Sequence, residues 1–233
     1  QFGFGLLWTM PLAYPLMASV QMLCARLGRI TGEGLAANIK RRFPRPVLLA
    51  AVLLLLVANT LNIAADLAAM GEASALIVPI PRQAATLAFG LLSLGLQIAI
   101  PYSRYVRFLK WLTLSLLAYV AVLFFVHVPW GAVLRASLWP TAPIGSDAAM
   151  MIVAVFGTTI SPYLFFWQAS EEIEEMHEKH EASLKKDRHD AVPELDRIAF
   201  DTWTGMGFSQ IVAFAIMVAT ALTLKAHGSV DAH

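Results

Sequence analysis

Gly157-Thr-Thr-Ile-Ser-Pro-Tyr-Leu164 lies in the middle of an apolar stretch, Ala148 to Ala169, that is long enough to span a bilayer. A glycine, two threonines, a serine and a proline are a poor choice for the centre of an uninterrupted lipid-facing helix. Pro162 has no backbone N–H and crowds the preceding turn. A carbonyl freed at that depth finds no water in hydrocarbon, so it must face protein or a polar cavity. The stretch therefore predicts a discontinuous helix, with Gly157 and Pro162 at the break. Helices broken near the membrane midplane are one way in which secondary transporters build a substrate site.

The rest of the chain sets that break in a membrane. Apolar residues make up 58% of the sequence and charged residues only 14%, where a soluble domain carries about a quarter charged. The apolar residues form blocks of about twenty, the length that crosses roughly 30 Å of hydrocarbon. Six such spans are expected: Phe4–Ala25, Val47–Met70, Ala84–Pro101, Phe108–Val126, Ala148–Ala169 and Trp203–Leu224. With the first span running inward, 14 of the 17 basic residues fall on one side of the membrane, which is taken as the cytoplasm. Only Arg82, Arg135 and Lys225 stay outside. The expected organisation is a single transmembrane domain over residues 1–233, with 171–202 as a cytoplasmic linker between the fifth and sixth spans. The chain begins at Gln1 without Met and carries no signal peptide; it reads as a fragment that lacks preceding sequence. Cys24 is the sole cysteine, so no disulfide forms within the chain.

Several polar features need an explanation. Asn59, Asn62 and Asp66 are spaced to share one face of the second span. An ionised aspartate at the centre of a helix in lipid costs about 2.5–3.5 kcal/mol, so that face should look toward protein, water or an ion. The two readings are an ion pathway and a helix–helix clamp. Thr86, Ser93 and Gln97 of the third span read as packing glue. Thr31 is expected to cap a short surface helix ending in Lys40-Arg-Arg42, a lipid anchor. Tyr102, Tyr105 and Trp111 mark an inner aromatic belt; Trp130 and Trp139 mark the outer one. The segment His127–Asp147 is expected to lie along the outer surface. The Glu171–Glu175 run reads as a solvated helix extension, with a metal site at His177, Glu178 and His180 as the rarer alternative. No phosphate loop, zinc spacing or nucleophile elbow is present, so no enzymatic activity is expected. The basic residues anchor the chain in lipid and form no nucleic-acid surface.

Three stretches resemble the natural resistance-associated macrophage protein (Nramp) family of metal-ion transporters. Ala25-Arg-Leu-Gly-Arg-Ile-Thr-Gly-Glu-Gly-Leu-Ala36 is similar to the loop after that family's second helix. Asn62-Ile-Ala-Ala-Asp-Leu-Ala-Ala69 is similar to its third helix, and Phe156-Gly-Thr-Thr-Ile-Ser-Pro-Tyr163 to its broken sixth helix. The resemblance covers nearly the whole chain. It implies helices two to seven of a LeuT-like fold, a partial inverted-repeat bundle lacking upstream and downstream helices. The family's Asp-Pro-Gly-Asn motif, expected before Gln1, is absent. Where the family has Met-Pro-His, this chain has Ser161, Pro162 and Tyr163, and the position whose carbonyl faces the metal is Thr158. A hydroxyl is harder than a thioether and suits magnesium or calcium. Two positions where the family often has acids are Asn59 and Ala69.

The resemblance implies a secondary transporter for divalent metal cations, of Mn/Fe or Mg type, working by alternating access in a bacterial-type inner membrane. Thr158 and Ser161 are the expected metal-binding residues, with Tyr163 beside them. Gln168 is expected to line the inner path, and Asn59, Asn62 and Asp66 to form an ion pathway or structural relay. No bound cofactor is implied; the metal ion is cargo, with H+ or Na+ as a coupling ion. The alternative is a sodium- or proton-coupled carrier of a small organic solute on the same scaffold. A third reading is a non-transporting protein that has kept the fold.

Overall fold

A computed structural model describes residues 3–100, 111–140, 145–179, 181–185 and 191–226, with side chains up to residue 223. The described residues are helical with no strand, as expected of an all-α membrane protein. The helices are α1 (Thr9–Thr31), α2 (Leu35–Arg42), α3 (Arg45–Ala75), α4 (Arg82–Ala99), α5 (Leu117–Phe125), α6 (Trp130–Leu138), α7 (Ser146–Thr159), α8 (Pro162–Glu178) and α9 (Ala191–Ala226). Three helical stretches are long and apolar enough by themselves to cross a bilayer: Arg45–Ala75, Ser146–Glu178 and Ala191–Thr223. The expected first, third and fourth spans appear as α1, α4 and the shorter apolar helix Trp111–Phe125. Tyr102, Tyr105, Arg104, Arg107, Lys110, His180, Lys186 and Arg188 lie outside the described residues.

The chain divides into two compact units, residues 1–48 with 116–233, and residues 49–115. In the second unit, buried Gly71 of α3 lies against Thr86 and the Arg82 carbonyl of α4. Arg82 Nη1 is 3.1 Å from Glu72 Oε1, an ion pair across the turn between α3 and α4. The outer surface of α3 is almost wholly aliphatic, with Leu49, Leu53, Leu54, Leu56 and Leu61 exposed. Such a surface is stable only under lipid or protein.

The first unit is built on α1, which packs lengthwise against both α8 and α9. α1 and α9 run antiparallel. Gln210 Nε2 donates to Met10 O at 2.8 Å near one end, and Arg26 Nη2 donates to Leu195 O at 3.3 Å near the other. Between them Tyr14 Oη donates to Trp203 O at 2.9 Å, and the two rings meet edge to face at 5.2 Å. Leu7, Val128, Val133, Ala136 and Val218 form a buried apolar core.

Two boundaries differ from the sequence reading. α1 starts at Thr9 and runs on through Thr31, so Thr31 does not cap the surface helix. Gly32, in the left-handed region at φ 67°, ends α1 and returns its N–H to Gly28 O at 2.8 Å. A glycine reaches that conformation at no steric cost. Gly34 then caps α2, and Thr31 Oγ1 instead bonds Leu27 O and accepts from Asn38 Nδ2. In the segment His127–Asp147, α6 buries Val133 and Ala136 in the core. Finally, much of residues 171–202 is helix, shared between the end of α8 and the start of α9.

Candidate functional site

The expected break is present, and its position is set by Pro162. α7 ends at Thr159; Ile160 (φ −97°, ψ 66°) and Ser161 (φ −81°, ψ 125°) leave the helical region; α8 restarts with Pro162 as its first residue. Proline suits a first helical position because its missing N–H has no partner to lose there. The same missing N–H means that the Thr158 carbonyl receives no helical bond from Pro162. Ile160 N still bonds Phe156 O at 2.8 Å, and Leu164 N begins the new helix on Ser161 O at 3.1 Å. Gly157 lies within α7, three residues before the unwound pair, with no positive φ and open space where a Cβ would stand. The unwinding therefore owes nothing to glycine's conformational freedom.

The expected site residues fall into two groups. Thr158, Ser161, Pro162 and Tyr163 gather around the interruption, and Gln168 lies half-buried further along α8. Ser161 is 3% exposed. The Thr158 hydroxyl donates back to Ala154 O at 2.9 Å and is engaged within α7. Tyr163 is exposed. Asn59, Asn62 and Asp66 belong to the other unit: the two amides are half-buried and Asp66 is exposed on α3. Asp66 makes no clamp with an arginine among the described residues. No cluster of three or more His, Cys, Asp or Glu side chains able to hold a metal occurs among them, and His180 of the alternative metal site lies outside them.

The break joins opposite helix ends. The last carbonyls of α7 carry the negative end of a helix dipole, and the first N–H groups of α8 carry the positive end. Cations are favoured at the former, which is where Thr158 lies. Unwound carbonyls and half-helix C-termini are the usual donors to small cations in membrane carriers.

Sequence reasoning missed a second arrangement at the far end of α8, beyond the apolar stretch Ala148–Ala169. Arg29 of α1 is 3% exposed, and its Nη2 pairs with Glu181 at 2.5 Å and Glu194 at 3.2 Å. Arg197 of α9 reaches Glu172 at 3.1 Å, Glu175 at 3.2 Å, Glu194 at 3.1 Å and Asp201 at 3.3 Å. Leu184 N and Lys185 N bond the carbonyls of Arg29 and Ile30, tying the loop to the end of α1. Burial pushes the Glu172 carboxyl above its ordinary value, against the pull of Arg197. Burial also acts upward on Glu175, but the Lys179 hydrogen bond and the charges of Arg197 and Lys179 outweigh it and hold that carboxyl low. Glu172 and Glu175 of the acidic run are thus paired with α9, and Glu181 beyond it with α1. The available signal was Arg29 itself, a charge that falls before Gly32 and so still inside the helix that Gly32 ends.

Comparison with known proteins agrees with the helical membrane fold. The family model described as natural resistance-associated macrophage protein-like matches residues 1–233. A divalent metal cation transporter MntH of Mycobacterium tuberculosis (strain CDC 1551 / Oshkosh) is 28% identical over 98% of this chain and 52% of its own length. MntH proteins of Pectobacterium carotovorum subsp. carotovorum (strain PC1) and Verminephrobacter eiseniae (strain EF01-2) are 28% and 30% identical, over 99% and 71% of this chain and 54% and 38% of their own lengths. The chain spans about half the length, or less, of these curated relatives. With a match that runs from its first residue to its last, the chain belongs to the Nramp family.

Proposed function

We propose that this chain forms part of a secondary transporter that moves a divalent metal cation by alternating access around the α7–α8 break. The observation that carries the reading is the Thr158 carbonyl, left without a helical partner at the C-terminal end of α7 by Pro162. A carbonyl at a helix C-terminus offers a cation a neutral oxygen and a favourable dipole. Ser161 adds a hydroxyl from the unwound segment. Both are hard donors, which suit magnesium or manganese with part of the hydration shell retained. Tyr163 and Gln168 line the inward path, and Asn59, Asn62 and Asp66 serve as an ion pathway or structural relay. H+ or Na+ is the coupling ion. The membrane is a bacterial inner membrane, with residues 171–202 on its cytoplasmic side. That its relatives are divalent metal cation transporters supports cation transport as the class of activity.

Tracer uptake into proteoliposomes tests this. Uptake of Mn2+ or Mg2+ that falls at least tenfold in Ser161→Ala supports it. Uptake of an organic solute with no divalent-ion flux rejects it in favour of the alternative carrier, and intact insertion with no flux of either kind rejects transport altogether. Ser161→Met should shift preference toward Mn2+ and Cd2+ if the residue touches the ion.

A further inference from the structure

Gln21, in the middle of α1, is fully buried, and neither its Nε2 nor its Oε1 has a hydrogen-bond partner among the described residues. Buried amides are almost always paired, so one with both ends open calls for a physical reason. Its place in the packing supplies one. Gly28 lies so close to α8 that a Cβ there would stand 2.5 Å from Ala169 O. α1 packs against α7 as well as α8, so it runs alongside them in the direction of the chain. Gln21 precedes Gly28 by seven residues, two helical turns, and so shares its face. Pro162 likewise precedes Ala169 by seven. At a common rise of about 1.5 Å per residue, Gln21 stands at the height of Pro162 on the face turned toward α8.

We propose that Gln21 is an ion-binding residue: its Oε1 supplies, from α1, a third hard oxygen to the divalent cation held at the break. This rests on the reading of the break as a cation site. The unsatisfied amide and the unsatisfied Thr158 carbonyl are then two halves of one donor set, completed by cargo. A neutral oxygen adds affinity without fixing a charge in the membrane, and it favours magnesium and manganese over softer ions.

Calorimetric titration of the purified protein with Mg2+, Mn2+ and Cd2+ tests the assignment in the wild type, Gln21→Leu, Gln21→Glu and Ser161→Ala. Gln21→Leu should weaken Mg2+ and Mn2+ about tenfold and Cd2+ less. Gln21→Glu should bind Mg2+ more tightly at neutral pH and lose that gain on acidification. Wild-type affinities in Gln21→Leu, with an unchanged or raised melting temperature, overturn the assignment and leave an orphaned core amide. If Gln21→Leu does not fold, unaltered Mg2+ binding by Gln21→Glu overturns it instead. Loss of binding in Ser161→Ala alone rejects Gln21 while keeping the cation site. Absence of any divalent binding by the wild type rejects the site and Gln21 together.

Discussion

The two ends of α8 solve opposite problems. Its beginning is left open: Ser161 is unwound, Pro162 offers no N–H, and the Thr158 carbonyl across the gap is not returned to any helix. Its end is closed: Glu172 and Glu175 are held by Arg197, and the following Glu181 is held by a buried Arg29. An ion site needs polar groups that nothing in the protein has already satisfied. Such groups cost stability, so the helix that carries them must be fixed elsewhere. The difference between the ends shows where: α8 is anchored in the charged region, and the polar groups at its apolar end are left open.

That contrast can be broken by experiment, starting at the closed end. Arg29→Ala removes the partner of Glu181 and one of the two partners of Glu194, and should cost about 2 kcal/mol. Thermal melting in detergent checks this, and a loss close to zero would mean that the closed end is not the anchor. Gly28→Val forces a side chain into the Ala169 carbonyl and should cost about 1–3 kcal/mol by overpacking, read in the same assay. Pro162→Ala restores an N–H that can reach the Thr158 carbonyl. It should raise stability by about 1 kcal/mol while lowering uptake at least tenfold, the reverse of the Arg29 pattern. The smallest effect is pH. Glu175 titrates below its ordinary 4.5, so its contribution is in place above that value and lost as the pH falls through the folded value. Glu172 opposes it, because its raised carboxyl takes up a proton earlier and sheds its burial penalty. Acid melting below about pH 4.5 should therefore be shallow, and Glu175→Gln should flatten it by under about 1 kcal/mol.

How far the sequence could be read follows from the range of each interaction. The break was legible because its cause is covalent and local: Pro162 lacks an N–H whatever surrounds it. The long apolar helices were legible from length alone. The charge cluster was not, since Arg29 and Glu181 are 152 residues apart and helical spacing reports only neighbours on the same helix. Read singly, Glu171–Glu175 resembles any solvated run. The end of α1 was misplaced for a related reason. Thr31 is a fair cap by residue type, but the left-handed Gly32 stops the helix one residue later. Gln21 passed unnoticed among apolar neighbours, and only the close contact of Gly28 with Ala169 reveals the face it occupies.

The pairing of α1 with α9 has a consequence for synthesis. Met10 accepts its bond from Gln210, a residue made 200 positions later. α1 is therefore made long before α9, and its Arg26 and Arg29 must wait for Leu195 and Glu194. Residues 49–115 associate within themselves and need no such delay. Because distant contacts form late, residues 49–115 should associate before α1 pairs with α9.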